Sequence, residues 1–289
     1  MESSEVSRAV DAAMSIVVAL DMAADDAIVL RNSNKLALRV LPCDVLARVA
    51  HVGCEVATLE VELARRLAEV GAPTGALDPR VEPRVYKRDG YAVTLWSYYE
   101  PATPEISPAD YADALERLHA GMRGLDVATP HFTDRIASAE QLVTSRELTP
   151  ELTDADRVVL TSALRRARQA IRERCAAEQL LHGEPHPGNV LTTTAKGPLF
   201  IDLETCCRGP VEFDLAHVPE TVSDHYPALD HGLLRDCREL VLAMVAAWRC
   251  EPDDQLPNGK QAGRELLSAL RAGPPWPTLD AVFSRVDGP

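Results

Sequence analysis

Glu184, Asn189 and Asp202 are the side chains in this 289-residue chain whose order and spacing are best suited to chemistry. Asn189 follows Glu184 by five residues and Asp202 lies thirteen further on, all within LLHGEPHPGNVLTTTAKGPLFIDLETCCRGPVEFDLA, Leu181 to Ala216. The apolar runs Val190 to Thr193 and Leu199 to Leu203 flank Ala195-Lys196-Gly197-Pro198 and predict a hairpin. Antiparallel pairing would bring Asn189 roughly opposite Asp202 at its base. An amide oxygen beside a carboxylate is a hard-oxygen site suited to Mg²⁺, which keeps most of its water and takes phosphates as further ligands. Glu184 lies just upstream, in a loop that Pro185 and Pro187 keep from being helix. A carboxylate next to such a site is placed to orient a hydroxyl for in-line attack. The reaction these residues suit is phosphoryl transfer.

The same segment resembles the catalytic core of the aminoglycoside phosphotransferase family, small-molecule kinases of the protein-kinase-like fold. That family's loop, commonly H-G-D-x-H-P-G-N, appears here as His182-Gly183-Glu184-Pro185-His186-Pro187-Gly188-Asn189. Its I-D-x-E and G-P-x-x-x-D-L-A motifs appear as Ile201-Asp202-Leu203-Glu204 and Gly209-Pro210-Val211-Glu212-Phe213-Asp214-Leu215-Ala216. The resemblance implies that Glu184 stands where the family has its catalytic Asp, and that Asn189 and Asp202 are metal ligands. It also implies that Asp214 braces the catalytic loop by hydrogen bonding. Glu in place of Asp moves the carboxylate by about 1.5 Å, one bond length. Either the loop accommodates this and the chain is a competent enzyme, or it is a weakly active or inactive nucleotide-binding relative with a regulatory role.

The elements that must position these residues follow from periodicity. Val6 to Leu20 predicts an amphipathic helix, followed by strands at Ala27 to Leu30, Leu36 to Leu41 and Val45 to Val49. Glu55 to Val70 predicts a helix ended by Gly71 and Pro73, and Lys87-Arg88-Asp89-Gly90 a hairpin turn between strands Arg84 to Tyr86 and Tyr91 to Trp96. From about residue 105 the pattern is helical. Ser107-Pro108 caps a helix with Tyr111, Leu115, Leu118 and Met122 on one face. Thr153 or Asp154 starts another, with an inward stripe of Val159, Leu160, Leu164, Ala167, Ile171 and Cys175. Leu233 to Trp248 and Arg264 to Leu270 read as later helices around a loop at Glu251 to Lys260.

The expected class is therefore α+β, a protein-kinase-like bilobal fold. A small N-terminal mixed α/β lobe (1–100, nucleotide-binding) joins a larger, mainly helical C-terminal lobe (105–289, catalytic and substrate-binding). The hinge falls at about 95–104, and a nucleotide would lie in the cleft between lobes.

Phosphoryl transfer needs cations near the phosphates. Val45-Leu46-Ala47-Arg48-Val49 resembles the third-strand motif that carries a phosphate-contacting Lys, so the resemblance implies that role for Arg48, whose fork retains the charge with a different reach. Its implied partner is Glu60; Glu55 and Glu62 compete, Arg39 is the alternative cation, and an ordinary strand-edge charge is the alternative for Arg48. With no G-x-G-x-x-G or Walker sequence, Asn32-Ser33-Asn34 is the expected phosphate-covering turn, Ser33 adding a hydroxyl donor. Leu95 to Tyr98 is the expected hinge facing adenine, with Trp96 and Tyr98 either there or in the core.

Among supporting residues, His182 is expected to be structural and His186 to line the cleft. Their spacing of four would serve zinc only on a helix. Glu204 either supplements the metal site or faces solvent, Cys206 and Cys207 read as packed thiols, and His119 reads as a core histidine.

Composition bounds the rest. A formal net charge of −14 argues against nucleic acid as a partner and suits a cationic acceptor; it suits mere solubility equally well. Seven cysteines without a C-x-x-C pair fit reduced thiols in a cytoplasmic protein. No signal-peptide pattern or apolar run long enough to span a membrane is present. The expected activity is Mg²⁺-assisted transfer from ATP or GTP to a small-molecule hydroxyl, the acceptor being a cationic aminoglycoside-like antibiotic, an amino alcohol or a sugar. Acidic residues such as Glu220, Asp224 and Asp230 would suit an amine-bearing acceptor.

Overall fold

The structure is a computed structural model that describes all residues except 2, 34, 54, 55, 103–105, 176, 194, 195, 288 and 289. Asn34, Glu55, Ala195 and part of the expected hinge segment lie outside the described residues. Two compact units are present, one of residues 1–106 and 190–204, the other of 107–189 and 205–289.

The first unit is built on a five-stranded antiparallel sheet in the order β1-β2-β3-β5-β4. Its strands are β1 (Ala24–Asn32), β2 (Leu36–Pro42), β3 (Val45–His51), β4 (Tyr86–Arg88) and β5 (Tyr91–Ser97). In β2 and β3, Leu36, Leu38, Val40, Val45, Ala47 and Val49 are fully buried while their neighbours are not, the period-two signature of a strand. Those residues pack with Ala9, Ala12, Ala13 and Val17 of helix α1 (Ser3–Ala19), whose small side chains lie at helical spacing. Leu46 and Arg48 alternate with the core positions, so they project from the opposite face of the sheet. Helix α2 (Val56–Glu69) buries Ala57, Val61, Leu63, Ala64 and Leu67 and, among them, Glu60.

Within the same unit, a two-stranded ribbon of β7 (Val190–Thr193) and β8 (Gly197–Phe200) pairs Val190 with Phe200. Backbone bonds dock it: Phe200 N–H donates to Pro73 O at 2.8 Å, Gly75 N–H to Phe200 O at 2.9 Å and Ala102 N–H to Thr192 O at 2.8 Å.

The second unit is helical: α3 (Pro108–Arg123), α4 (Phe132–Thr144), α5 (Asp154–Arg174), α6 (Val211–Leu215), α7 (Glu220–Ser223), α8 (His231–Trp248), α9 (Gly259–Ala272) and α10 (Leu279–Asp287). Its one ribbon pairs β6 (Gln179–Leu181) with β9 (Cys207–Gly209), Leu181 opposite Cys207. Helix α8 is buried on nearly every side, from Leu233 to Ala247, and forms the centre of the core. Ser107 caps α3 by accepting from Asp110 N–H, and Thr153 caps α5 by accepting from Asp156 N–H.

Several sequence expectations need correction. Lys87 and Arg88 belong to β4, so the turn is Asp89-Gly90 alone, with φ of 49° and 84° as a type I′ hairpin demands. The second strand of the β7/β8 ribbon stops at Phe200; Asp202 has φ of 68°, and Leu203 starts a 3₁₀ turn. In α5, Ala163 joins the buried stripe, Val159 is only partly buried, and Cys175 is the C-cap. Helix α9 begins at Gly259, inside the expected loop. Helix α4 and the β6/β9 ribbon were not foreseen.

Candidate active site

Two sets of polar side chains carry the candidate residues, each within its own unit. In the first, Arg48 projects from β3 beside Thr94 and near Trp96 of β5. Its Nη1 lies 2.6 Å from Glu60 Oε1 and its Nη2 lies 2.5 Å from Asp202 Oδ1. One guanidinium therefore bridges helix α2 and the segment that follows β8, with one fork nitrogen on each carboxylate. Burial disfavours the charge on Arg48, but Glu60 and Asp202 more than restore it. The left-handed backbone at Asp202 is a conformation that Asp tolerates better than most residues, because its short side chain bonds locally.

Lys35, in the bend just before β2, completes this set and was not singled out in the sequence. Its Nζ pairs with Glu60 Oε2 and lies 2.6 Å from Glu204 Oε2. Glu60, 1% exposed, thus receives one cation on each oxygen, and Glu204 is engaged by Lys35. The only sequence signal for Lys35 was its place after a polar turn, which is weak. Ser33 lies in that turn, exposed, its N–H donating to Lys35 O at 3.2 Å. Trp96 is a core aromatic, 6% exposed, with its indole N–H on Thr94 Oγ1. Tyr98 is half-buried, with Arg39 4.0 Å above its ring. Arg39 is otherwise occupied with Asp44 and Glu100, and Glu62 with Arg65 and Arg66.

In the second unit the loop after β6 carries Glu184. Asp214, fully buried on α6, holds that loop by its backbone. Oδ2 accepts from His182 N–H at 2.9 Å and Oδ1 from Gly183 N–H at 2.7 Å. His119 Nε2 lies 2.9 Å from the same Oδ2 and its Nδ1 2.8 Å from the Tyr226 hydroxyl. An ionised carboxylate only accepts, so Nε2 carries the proton and Nδ1 accepts from Tyr226. Burial pushes the Asp214 carboxyl up, yet His119 and its other donors outweigh that and hold it below the usual range. Gly183 has φ of 89°, and a Cβ there would stand 2.0 Å from Thr205 O, so only glycine fits.

Asn189, 6% exposed, ends a 3₁₀ turn and donates its amide N–H to Glu184 O at 3.0 Å. That bond fixes the amide orientation and leaves Oδ1 as its acceptor end. His182 is buried, and its carbonyl takes the Thr205 hydroxyl at 3.1 Å; His186 Nδ1 accepts from Gly188 N–H at 3.1 Å. The His182–His186 segment is loop, so helical zinc spacing does not arise.

The Glu184 carboxylate is engaged by Arg135 of α4, a residue the sequence reading missed along with its helix. Arg135 Nη2 pairs with Glu184 Oε1, and Nη1 donates to Gly183 O at 3.0 Å. Burial raises the Glu184 carboxyl, but the charge and hydrogen bond of Arg135 outweigh it and hold it below the ordinary glutamate range. His217, next to this group, is pushed down to about 4 by burial and is neutral at pH 7. The signal for α4 was its apolar stripe of Phe132, Ile136, Ala139 and Val143, which His131 and Asp134 precede with a reciprocal capping box.

Among the described residues no three His, Cys, Asp or Glu side chains converge to hold a metal by themselves. A carboxylate and an amide oxygen are a donor set that fits Mg²⁺, which takes one or two protein oxygens together with water and substrate phosphates.

A profile of the phosphotransferase enzyme family matches residues 44–268, about three-quarters of the chain. The chain belongs to that family. The match to the phosphotransferases runs from the turn before β3 into α9, and so includes Arg48, Glu60, Glu184, Asn189, Asp202 and Asp214. No curated protein matches the sequence. Among solved structures, similarity extends to wild-type aminoglycoside 2′-phosphotransferase-IIIa in its GDP complex (TM-score 0.65, 16% identity, 90% of this chain and 96% of that one). It extends to spectinomycin phosphotransferase APH(9)-Ia with ADP and spectinomycin (TM-score 0.61, 11%, 94% and 96%). Choline kinase LicA from Streptococcus pneumoniae is a third (TM-score 0.64, 14%, 90% and 97%). The N-terminal sheet and helical C-terminal region are thus the protein-kinase-like fold of these phosphotransferases. No helix among the described residues is long and apolar enough to cross a membrane.

Proposed function

We propose that this phosphotransferase moves the terminal phosphoryl group of ATP or GTP onto a hydroxyl of a small molecule, with Mg²⁺. The observation that carries the reading is the Arg48 guanidinium bridging Glu60 and Asp202, which ties a phosphate-seeking cation to a metal-seeking carboxylate. Asp202 and Asn189 would hold the ion, which when bound supplies charge neutralisation on the phosphates. Arg48 and Lys35 would face the nucleotide phosphates, with Glu60 keeping both in place. Ser33 and the backbone of Leu95 to Tyr98 would border the nucleotide. Glu184 would orient the acceptor hydroxyl and take its proton late, since this chemistry asks the protein chiefly for positioning. Asp214 would keep the loop in register for that task.

The net charge of −14 supports a cationic acceptor such as an aminoglycoside-like antibiotic or an amino alcohol. Two of the acidic residues considered for it have other work: Asp230 caps α8 and Glu220 pairs with Arg238. The ion pair on Glu184 supports a second reading, a nucleotide-binding relative with little or no turnover.

A panel of amine-bearing and neutral alcohols with ATP and GTP, scored by nucleoside diphosphate release, separates the two. Acceptor-dependent release that vanishes in Asp202→Ala is the expected result. Mg²⁺-dependent nucleotide binding without release would favour the second reading, and absence of both would overturn each.

A further inference from the structure

We propose that Arg135 is a positioning residue that adapts the catalytic loop to a glutamate, holding one oxygen of Glu184 so that the other meets the acceptor hydroxyl. The inference rests on the phosphotransfer reading above and concerns how this chain meets its demand for geometry.

A glutamate carboxylate swings on one more rotatable bond than an aspartate, so its position has to be fixed by a contact that aspartate does not need. Arg135 supplies one. Its two terminal nitrogens take adjacent groups of the same loop, Gly183 O and Glu184 Oε1, and so set the carboxylate relative to the loop backbone. The guanidinium is itself held. Its side chain is 16% exposed, its Cζ lies 5.0 Å over the Trp248 ring at the end of α8, and Phe213 lies 6.0 Å away. Stacking on a ring confines a guanidinium to one plane. The absence of a side chain at Gly183 leaves room for this arm, since a Cβ there would approach Arg135 Nη1 to 3.3 Å.

The contact is one-sided. A bidentate Arg–carboxylate pair would engage both oxygens in a fork. Here only Oε1 is taken, and among the described residues no donor lies within hydrogen-bond distance of Oε2. Glu184 remains 25% exposed. One oxygen is therefore a tether and the other is available.

The test is a double-mutant cycle on kcat, with nucleotide KM as the second readout. Glu184→Asp restores the family's residue but draws the carboxylate back by about 1.5 Å, out of reach of Arg135. It is expected to lower kcat about a hundredfold, the scale of a 1 Å misplacement, instead of raising it. Arg135→Met keeps an apolar contact with Trp248 but removes the tether, and should cost a similar factor in kcat with nucleotide KM unchanged. Arg135→Lys retains the charge and reaches one of the two acceptors, so it should recover part of the loss. The double variant Arg135→Met/Glu184→Asp should be no worse than the poorer single one. If wild type turns over and Arg135→Met stays within threefold of it, or the two losses multiply, the tether is refuted while the kinase reading stands. A wild-type chain without turnover on any acceptor overturns both, before any variant is compared.

Discussion

Replacing Asp214 by Asn tests whether the catalytic loop is held through its backbone. The carboxylate offers acceptors on both oxygens: Oδ2 to His182 N–H and His119, and Oδ1 to Gly183 N–H. An asparagine keeps one oxygen and presents an NH₂ group in place of the other. If the NH₂ takes the Oδ1 position it faces the Gly183 N–H; if it takes the Oδ2 position it faces the His182 N–H. His119 can answer by changing tautomer, but a backbone N–H cannot. Either way one buried donor is orphaned, at about 1–3 kcal/mol, and the surviving bond loses the help of the charge. The local cost is then about 2–4 kcal/mol. Because the loop can open locally without unfolding either unit, amide hydrogen exchange of the loop is the direct measure. Protection of the His182 or Gly183 amide should fall at least about tenfold, the equivalent of 1.4 kcal/mol, with kcat falling alongside. If both amides keep wild-type protection in Asp214→Asn, the bracing role assigned to Asp214 is wrong.

Three further outcomes follow from the same geometry. Gly183→Ala forces a Cβ against Thr205 O at a left-handed φ and should destabilise the second unit by about 3 kcal/mol or more; an unchanged urea midpoint would contradict the stated contact. Lys35→Met should weaken nucleotide binding about tenfold by titration calorimetry, the loss of one charge-assisted bond, and equal affinity would remove Lys35 from the phosphate-binding set. His217 is neutral when folded, with a pKa near 4 against an ordinary 6.5, so on acidification the unfolded chain takes up its proton first. Its contribution is full above pH 6.5 and is lost, by about 3 kcal/mol, as pH falls through 4. Urea midpoints of His217→Gln should therefore vary less between pH 7 and pH 4 than those of wild type, and parallel curves would refute the assignment.

What could be read from the residues was whatever depended on local pattern. The strands β2, β3 and β5 announce themselves by alternation, α3 by its Ser-Pro start, and the motif from His182 to Asn189 by prolines that forbid helix. Pairing across long sequence distance was harder. Glu60 was reachable as the partner of Arg48, but the second hold of Arg48 on Asp202 joins residues 154 positions apart. Lys35 was hidden because a lysine after a turn is ordinary until α2 and the Leu203–Thr205 turn bring two glutamates to it. Arg135 was hidden with α4, whose His131–Asp134 cap departs from the usual Ser/Thr and Glu/Gln pattern, although its apolar stripe was legible. The end of β8 was misplaced because a left-handed aspartate leaves no trace in hydrophobicity.

The ribbon of Val190 to Phe200 has a consequence for how the protein is made. It belongs with the first hundred residues, to which it is tied through Pro73, Gly75 and Ala102, yet it is encoded after about half of the helical unit. A ribosome that has released residue 106 has therefore delivered a complete five-stranded sheet, while the docked ribbon and both of the acids its cations await, Asp202 and Glu204, are still unsynthesised. Arg48 and Lys35 stay without those counter-charges until about two hundred residues have emerged, so the nascent N-terminal unit is the stage at which this chain would depend most on a chaperone.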